Sequence, residues 1–308
     1  MTKTISIIIP AYNEEPNLSV VTERLYSLFK NSLYKLEVIF INDGSSDGSL
    51  DLLKELSRKY SGLYFIDFSR NFGQQNALRA GYDFATGDAV ICMDADLQNP
   101  PEVVKDLVKK WEEGYEVVVC KRRDAVQNAG IFKENTSRWF YRIMSFLTNI
   151  SIEPNSPDFR LVDRKLVNVI KDLTEKDIFF RGLISWMGFR KAVIEYDHSV
   201  RLHGDTKYSV KKMLKLASSG LTSFSVKPLH MAMYLGLFIW GLSLLYIPYA
   251  LISYYQGNAI SGWASLIVTV SFFGGLQLLI LGVIGLYLGK LFMQSKQRPE
   301  YIVRETNF

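Results

Sequence analysis

From Pro228 to Gly289 the chain carries no Asp, Glu, Lys or Arg, and that alone divides the molecule before any motif is read. A stretch of this length holds two membrane crossings of about 20 residues each. The polar break Tyr254-Tyr255-Gln256-Gly257-Asn258 falls near its middle. Lys227 closes one end and Lys290 the other, with Lys211, Lys212, Lys215, Lys296 and Arg298 close behind, while the connecting loop is uncharged. The positive-inside rule then predicts that both ends, and everything N-terminal to them, lie in the cytoplasm. Trp240, Tyr246, Tyr249, Tyr254, Tyr255 and Trp263 include the aromatics expected near membrane interfaces, and Pro248 is tolerable inside such a helix. The competing reading is a buried helical hairpin of a soluble protein.

What precedes this stretch reads differently. Of the 308 residues, enough remain for one large or two modest domains. Thr4–Pro10 predicts a first strand, Leu18, Val21, Leu25 and Leu28 one helix face, and Leu36–Asn42 a second strand. Asp47 is a candidate cap for a helix through about Tyr60. Leu63–Phe68, a helix to Ala85, a strand at Ala89–Met93, a helix from Pro101 to Glu113 and a strand at Glu116–Cys120 follow. Strands alternating with helices of this length predict βαβ units and a mostly parallel sheet, hence an α/β fold. The N-terminus has too short an apolar run for a signal peptide. Cys92 and Cys120 lie in apolar strand-like runs and read as buried core thiols of a reducing compartment. His198, His203 and His230 lack metal-ligand spacing.

The chemistry gathers where strands end. Tyr12–Glu14, Asp43–Gly48 and Asp94–Gln98 are polar loops following three strands, and a doubly wound sheet collects such loops on one edge. No loop matches a dinucleotide fingerprint or a P-loop. Along an extended chain Asp94 and Asp96 would point to the same side. Two carboxylates and the Gln98 amide suit Mg²⁺ or Mn²⁺ carrying a diphosphate. A turn-forming or solvated role for these polar residues is the alternative. The net charge of +5 argues neither for nor against a nucleic-acid partner.

IIIPAYNEE, INDGSSDGS, SRNFGQQNAL, MDADLQNPP, DFRLVDR, RGLISWMGF and HGDTKYSVKKM, with the closing apolar hairpin, resemble family 2 glycosyltransferases of GT-A fold. More narrowly they resemble the polyisoprenyl-phosphate glycosyltransferases, such as bactoprenol glucosyltransferases and dolichol-phosphate mannose synthases. The likeness covers essentially the whole chain. It implies a GT-A domain over 1–205, a juxtamembrane amphipathic helix over 206–227, two transmembrane helices over 228–290 and a cytoplasmic tail over 291–308. It further implies an inverting transfer of a sugar, glucose from UDP-glucose in the first instance, to a polyprenyl phosphate at the plasma membrane. GDP-mannose, UDP-galactose and amino-sugar donors stay open. The partners so implied are a nucleotide sugar, a lipid phosphate, the membrane and a second copy of the chain, with no nucleic acid.

Residue by residue, the resemblance maps Pro10, Tyr12, Glu14, Asp43 and Asp94 onto the donor nucleotide, and Asp94, Asp96 and Gln98 onto the metal. Relatives often carry two successive Asp in the second motif, where this chain has Asn42 before Asp43. Arg122, Lys133 and Ser137 match the acceptor-phosphate positions, with Lys133 replacing the usual Arg. Arg201 and Lys207 flank a loop that closes over the donor diphosphate in the family. Asp158 matches a proposed catalytic carboxylate and shares the catalytic assignment with Asp96. Because a phosphate monoester is already largely dianionic at neutral pH, Asp158 is expected to orient a substrate rather than remove a proton. Its alternative role is a structural pair with Arg160. Apolar stripes at Trp139–Leu147 and Val210–Leu221 fit helices in the membrane interface. Gly285 and Gly289 form a Gly-x-x-x-Gly pair that suits helix association. A processive polysaccharide synthase would need more membrane spans and a Gln-x-x-Arg-Trp motif, where this chain has Arg181–Trp186. A non-catalytic nucleotide-sugar sensor would not need the full acidic and basic set.

Overall fold

The computed structural model describes residues 2–123, 156–176, 178–197, 227–256 and 262–308. It divides into two units, Met1–Ser223 with Pro299–Phe308, and Phe224–Arg298.

The first unit is built on an eight-stranded sheet in the order β7-β5-β6-β4-β1-β2-β3-β8. Its centre is β1 (Thr4–Ala11), a run of β-branched residues buried on both faces, as central parallel strands are. β1 pairs in parallel with β2 (Lys35–Asn42) and with β4 (Ala89–Cys92), and β2 pairs in parallel with β3 (Leu63–Phe68). Ile5, Ile7 and Ile9 pack with Leu18, Val21 and Leu25 of α1 (Glu15–Phe29), Leu53 of α2 (Ser49–Lys59) and Leu107 of α4 (Val104–Glu112). Ile8 faces the other way, onto α3 (Gln74–Phe84), where Gly81 lets the backbones approach: a Cβ there would lie 2.9 Å from Ile8. Each isoleucine withdrawn from water contributes roughly 1.5–3 kcal/mol, so both helical layers are held by this alternation. Cys92 and Cys120 are buried free thiols, as expected, and burial pushes the Cys92 thiol up to about 12.

Several details depart from the sequence reading. Asp47 does not occupy the cap position of α2, which falls to Gly48, although its carboxylate accepts from Ser49 N at 3.1 Å. The fourth helix opens with a 3₁₀ turn at Pro101–Val103. β5 spans Val117–Arg122, so Lys121 and Arg122 end the strand rather than follow it. Beyond the parallel core, β6 (Arg160–Asp163) inserts antiparallel between β4 and β5, followed by α5 (Arg164–Asp172) and α6 (Phe180–Trp186). β7 (Lys191–Tyr196) then pairs in parallel with β5. The sheet is therefore mixed, with its parallel pairings in the majority.

The segment expected as a tail after residue 290 does something else. Val303–Thr306 forms β8, antiparallel to β3. The physical reason is that β3 would otherwise be an open edge with unpaired backbone groups. Tyr301 stacks on Phe68 at 5.1 Å between centroids, and Phe308 stacks on Tyr64 at 4.4 Å.

The second unit contains α7 (Lys227–Tyr255) and α8 (Trp263–Ser295); α7 begins at the edge of the uncharged stretch, whereas α8 runs past Lys290, where that stretch ends. His230 and Met233 of α7 line one cavity with Ile280 and Ile284 of α8. Among the described residues one segment, Phe272–Ser295, is long and apolar enough by length and composition to cross a membrane. The amphipathic stripes at 139–147 and 210–221, and all of the expected juxtamembrane helix except Lys227, lie outside the described residues.

Candidate active site

Because β1 to β4 are parallel, the loops that follow them emerge at one rim, and side chains stitch neighbouring loops together. Asn13, held at a φ of 54°, donates its N–H to Ser45 Oγ at 2.9 Å and accepts from Ser46 N at 2.8 Å. Glu14 N donates to Ser49 Oγ at 3.3 Å, and Glu14 Oε2 accepts from Asn17 Nδ2 at 2.7 Å. Asp43 reaches the next loop: its carboxylate accepts from Phe72 N at 2.6 Å and Gly73 N at 2.9 Å. Burial pushes the Asp43 carboxyl up, against the pull of those two amides and of Arg70. Gly44 allows this contact, since at φ 66° a Cβ would stand 2.4 Å from the Arg70 carbonyl carbon. Pro10, Tyr12, Glu14 and Asp43 therefore gather on the rim, with Pro10 paired to Ile41 and Tyr12 exposed.

The acidic loop keeps its position but not the geometry expected of it. β4 ends at Cys92, and the chain is already turning at Ala95 and Asp96, so strand alternation does not aim the two carboxylates. Asp96 instead folds back and accepts from Gln98 N at 3.1 Å, with Leu97 in the left-handed region at φ 60°. Asp94 accepts from Gln74 Nε2 at 2.9 Å and from Asn99 Nδ2 at 3.2 Å. Burial, then Asp158, then Asp96 push the Asp94 carboxyl up to about 6, with Arg181 and Asn99 opposing. Among the described residues no three His, Cys, Asp or Glu side chains form a metal-ligating group. The donor set is thus two carboxylates and the Gln98 amide. These are hard oxygen donors in a region of crowded negative charge that a divalent cation would relieve, and so they fit Mg²⁺ or Mn²⁺.

Asp158 stands across from Asp94. β4 and β6 pair antiparallel with Cys92 opposite Arg160. Just beyond that pair, Asp158 comes close enough for its charge to push on the Asp94 carboxyl. Arg160 Nη2 binds Asp158 Oδ1 at 2.7 Å, the pairing weighed as the alternative role of Asp158. A second guanidinium, on Arg181 at the start of α6, grips both oxygens, Nε to Oδ1 at 3.0 Å and Nη2 to Oδ2 at 3.1 Å. Burial by itself would raise this carboxyl, but Arg181 and Arg160 outweigh it and hold Asp158 down to about 2, with Gln75 adding a hydrogen bond. An acid that strong does not take a proton from a substrate near neutral pH.

At the end of β5, Arg122 stands opposite Tyr196 on β7. Arg122 Nε donates to Tyr196 Oη at 3.4 Å, Tyr196 Oη donates to Asn99 Oδ1 at 2.7 Å, and Asn99 reaches Asp94. A buried polar line thus joins Arg122 to the acidic loop. Lys133, Ser137, Arg201 and Lys207 lie outside the described residues. Sequence reasoning missed Gln74, Gln75, Asn99, Arg181 and Tyr196. The signal for the glutamines was present, because SRNFGQQNAL follows a strand ending on the same rim.

The family model described as glycosyl transferase family 2 matches residues 6–170, more than half of the chain. An uncharacterized glycosyltransferase, YkcC, from Bacillus subtilis is 45% identical over 302 residues, 98% of this chain and 93% of the relative. The bactoprenol glucosyl transferase of Shigella phage SfV is 39% identical over 97% of this chain and 98% of its own length. A prophage bactoprenol glucosyl transferase homolog of Escherichia coli K12 is 38% identical over the same shares. With its parallel α/β core, its acidic rim and these matches along nearly its whole length, the chain belongs to glycosyl transferase family 2.

Proposed function

We propose that this glycosyltransferase moves glucose from UDP-glucose to the phosphate of a polyprenyl lipid, with inversion at the anomeric carbon. The observation that carries the reading is Asp158, opposite the acidic loop and locked in its ionised form by Arg160 and Arg181. A site arranged so has no base at that position, which suits an acceptor that already carries its negative charge. A phosphate dianion is such an acceptor. The names of the bactoprenol glucosyl transferase relatives supply the sugar and the lipid class.

In the proposed reaction an acceptor phosphate oxygen attacks the anomeric carbon. A new carbon–oxygen bond forms as the bond to the nucleoside diphosphate breaks, and the electron pair leaves with the diphosphate. Asp94, Asp96 and Gln98 would hold a divalent cation, which when bound neutralises charge on the leaving diphosphate. Pro10, Tyr12, Glu14 and Asp43 line the nucleoside side, with Arg201 and Lys207 proposed over the diphosphate. Arg122, with Lys133 and Ser137, draws in the acceptor phosphate. Asp158 orients the sugar or acceptor from a fixed position.

The acceptor also requires a membrane, and α7 and α8 are proposed as its two crossings. The stretch Phe224–Arg298 leaves the sheet-bearing unit and returns to it at Pro299, since β8 belongs to the same sheet as β1. A segment that departs from and returns to one folded body crosses a bilayer an even number of times. The flanking lysines put that body on the cytoplasmic side of the plasma membrane. Gly285 and Gly289, whose missing side chains face open space within one chain, are available to a second copy.

The test is transfer of radiolabelled glucose from UDP-glucose into an organic-extractable product, using the full chain in detergent with undecaprenyl phosphate and Mg²⁺ or Mn²⁺. Wild type is expected to label the lipid only with metal present, and Asp96→Ala to lose roughly 10²–10³-fold in rate. Equal labelling without lipid phosphate, or an undiminished Asp96→Ala enzyme, sinks the reading.

A further inference from the structure

We propose that the C-terminal strand is part of the donor site, because it fixes the loop that presents Asp43. This rests on the reading that Asp43 contacts the donor nucleotide. The strand, together with Tyr301 and Ile302 that lead into it, reaches Asp43 by two routes that share no residue before Asp43.

The first runs through charge. Asp67 on β3 is fully buried, and Arg304 of β8 binds its Oδ2 at 2.6 Å. The other oxygen, Oδ1, accepts from Asn42 Nδ2 at 2.7 Å. Asn42 is also fully buried, precedes Asp43 in the chain, and accepts from Ser45 N through its Oδ1 at 3.4 Å. One amide thus ties the buried carboxylate to the loop Asp43–Gly48. In this chain Asn42 does both, donating to Asp67 and accepting from Ser45. A second carboxylate at position 42 would face Asp67 with no proton to share. Arg304 supplies the opposite charge beside the fully buried Asp67 carboxylate, which would otherwise have the amide alone.

The second route runs through packing. Ile302 O accepts from Ser69 N at 3.0 Å, and the Tyr301 ring stacks on Phe68. Phe68 meets Phe72 edge-on at 5.7 Å, and Phe72 N is one of the two amides on the Asp43 carboxylate. The strand therefore steadies the Asp43 side chain from beyond Phe72 and its backbone from beneath Asn42. Glu305, the register partner of Asp67 on the same strand, sends its carboxylate instead to Lys54 of α2 at 2.6 Å.

The experiment uses the full chain in detergent and measures UDP binding, KM for UDP-glucose, KM for undecaprenyl phosphate, kcat and melting temperature. Arg304→Ala is expected to weaken UDP binding and raise the donor KM by roughly three- to tenfold, with the acceptor KM and kcat at saturating donor within about twofold. Arg304→Lys is expected to recover part of the donor affinity, and Glu305→Ala to leave it unchanged. Should Arg304→Ala not be recovered folded, Arg304→Gln gives the same reading with a shorter, uncharged polar side chain. A lower melting temperature with unchanged UDP affinity would mean that the strand merely covers the sheet edge, and the proposal is overturned. If Asp43→Ala leaves UDP affinity intact, the donor reading of Asp43 falls as well, which separates the two failures.

Discussion

Asp94 follows β4 and Asp158 precedes its partner β6, near enough for their charges to interact, yet their surroundings drive them apart. Asp94 has two neutral amides, from Gln74 and Asn99, as hydrogen-bond partners and two other carboxylates nearby, which together with burial push it up to about 6. Asp158 has two guanidiniums, which hold it down to about 2. The lesson is that withdrawal from water does not assign a role to an acid. The sign of its partners does. The carboxyl crowded by like charge is the one prepared for a cation, and the one already neutralised by arginine is prepared to stay put.

The largest effect that sharpens this contrast is on turnover. Asp158→Asn keeps the shape but frees Arg160 and Arg181, so kcat is expected to fall roughly 10²-fold through misplacement of substrate. The acid side of the pH–rate profile is expected to keep its midpoint. A limb near neutral pH that vanishes in the variant would make Asp158 a base after all.

A smaller effect lies in stability. The Asp158 carboxyl sits at about 2 when folded, against an ordinary value near ~3.9. Its contribution is thus fully present above pH ~4 and is lost as pH falls toward ~2. It amounts to about 2–3 kcal/mol. Wild type should therefore lose more of its stability between pH 5 and pH 3 than Asp158→Asn, as read by denaturant unfolding at each pH. Parallel losses would mean that the two arginines do not act as described.

The smallest effect belongs to the amides around Asp94. Asn99→Ala removes one of them together with the partner of Tyr196, and is expected to raise the half-activating Mg²⁺ or Mn²⁺ concentration by roughly tenfold. Tyr196→Phe, which leaves Asn99 in place, should shift it by less. An unchanged metal requirement in both would detach the Arg122 line from the acidic loop.

Much of this was legible in the chain itself, for identifiable reasons. β1 to β4 and their helices announce themselves because each is a local apolar pattern closed by a polar loop. Topology then brings Asp43, Asp94 and Asp96 to one rim. What stayed hidden depends on partners remote in sequence. β6 is four residues long and begins at Arg160, whose side chain is committed to Asp158, so nothing in it reads as a strand until β4 and β5 flank it. Val303–Thr306 contains two charged residues and alternates weakly, yet Asn307 is bound to Phe65, 242 positions away. Arg181 opens a short helix like any solvated arginine until β6 carries Asp158 to it. The turn at Asp96 was hidden for a different reason: the buried run Ala89–Met93 suggests a longer strand than the turn after Cys92 permits.

The brevity of β6 carries a consequence for how such chains can vary. Side chains alternate along a strand, so a single residue gained or lost between Asp158 and Asp163 would present Pro157 or Phe159 at the rim in place of the acid. The buried side chains Arg160, Leu161 and Val162 would change faces in the same step. Length changes at that spot should therefore cost activity and stability together, whereas equivalent changes in the surface turn at Gly114, which presents nothing to the rim, should cost far less.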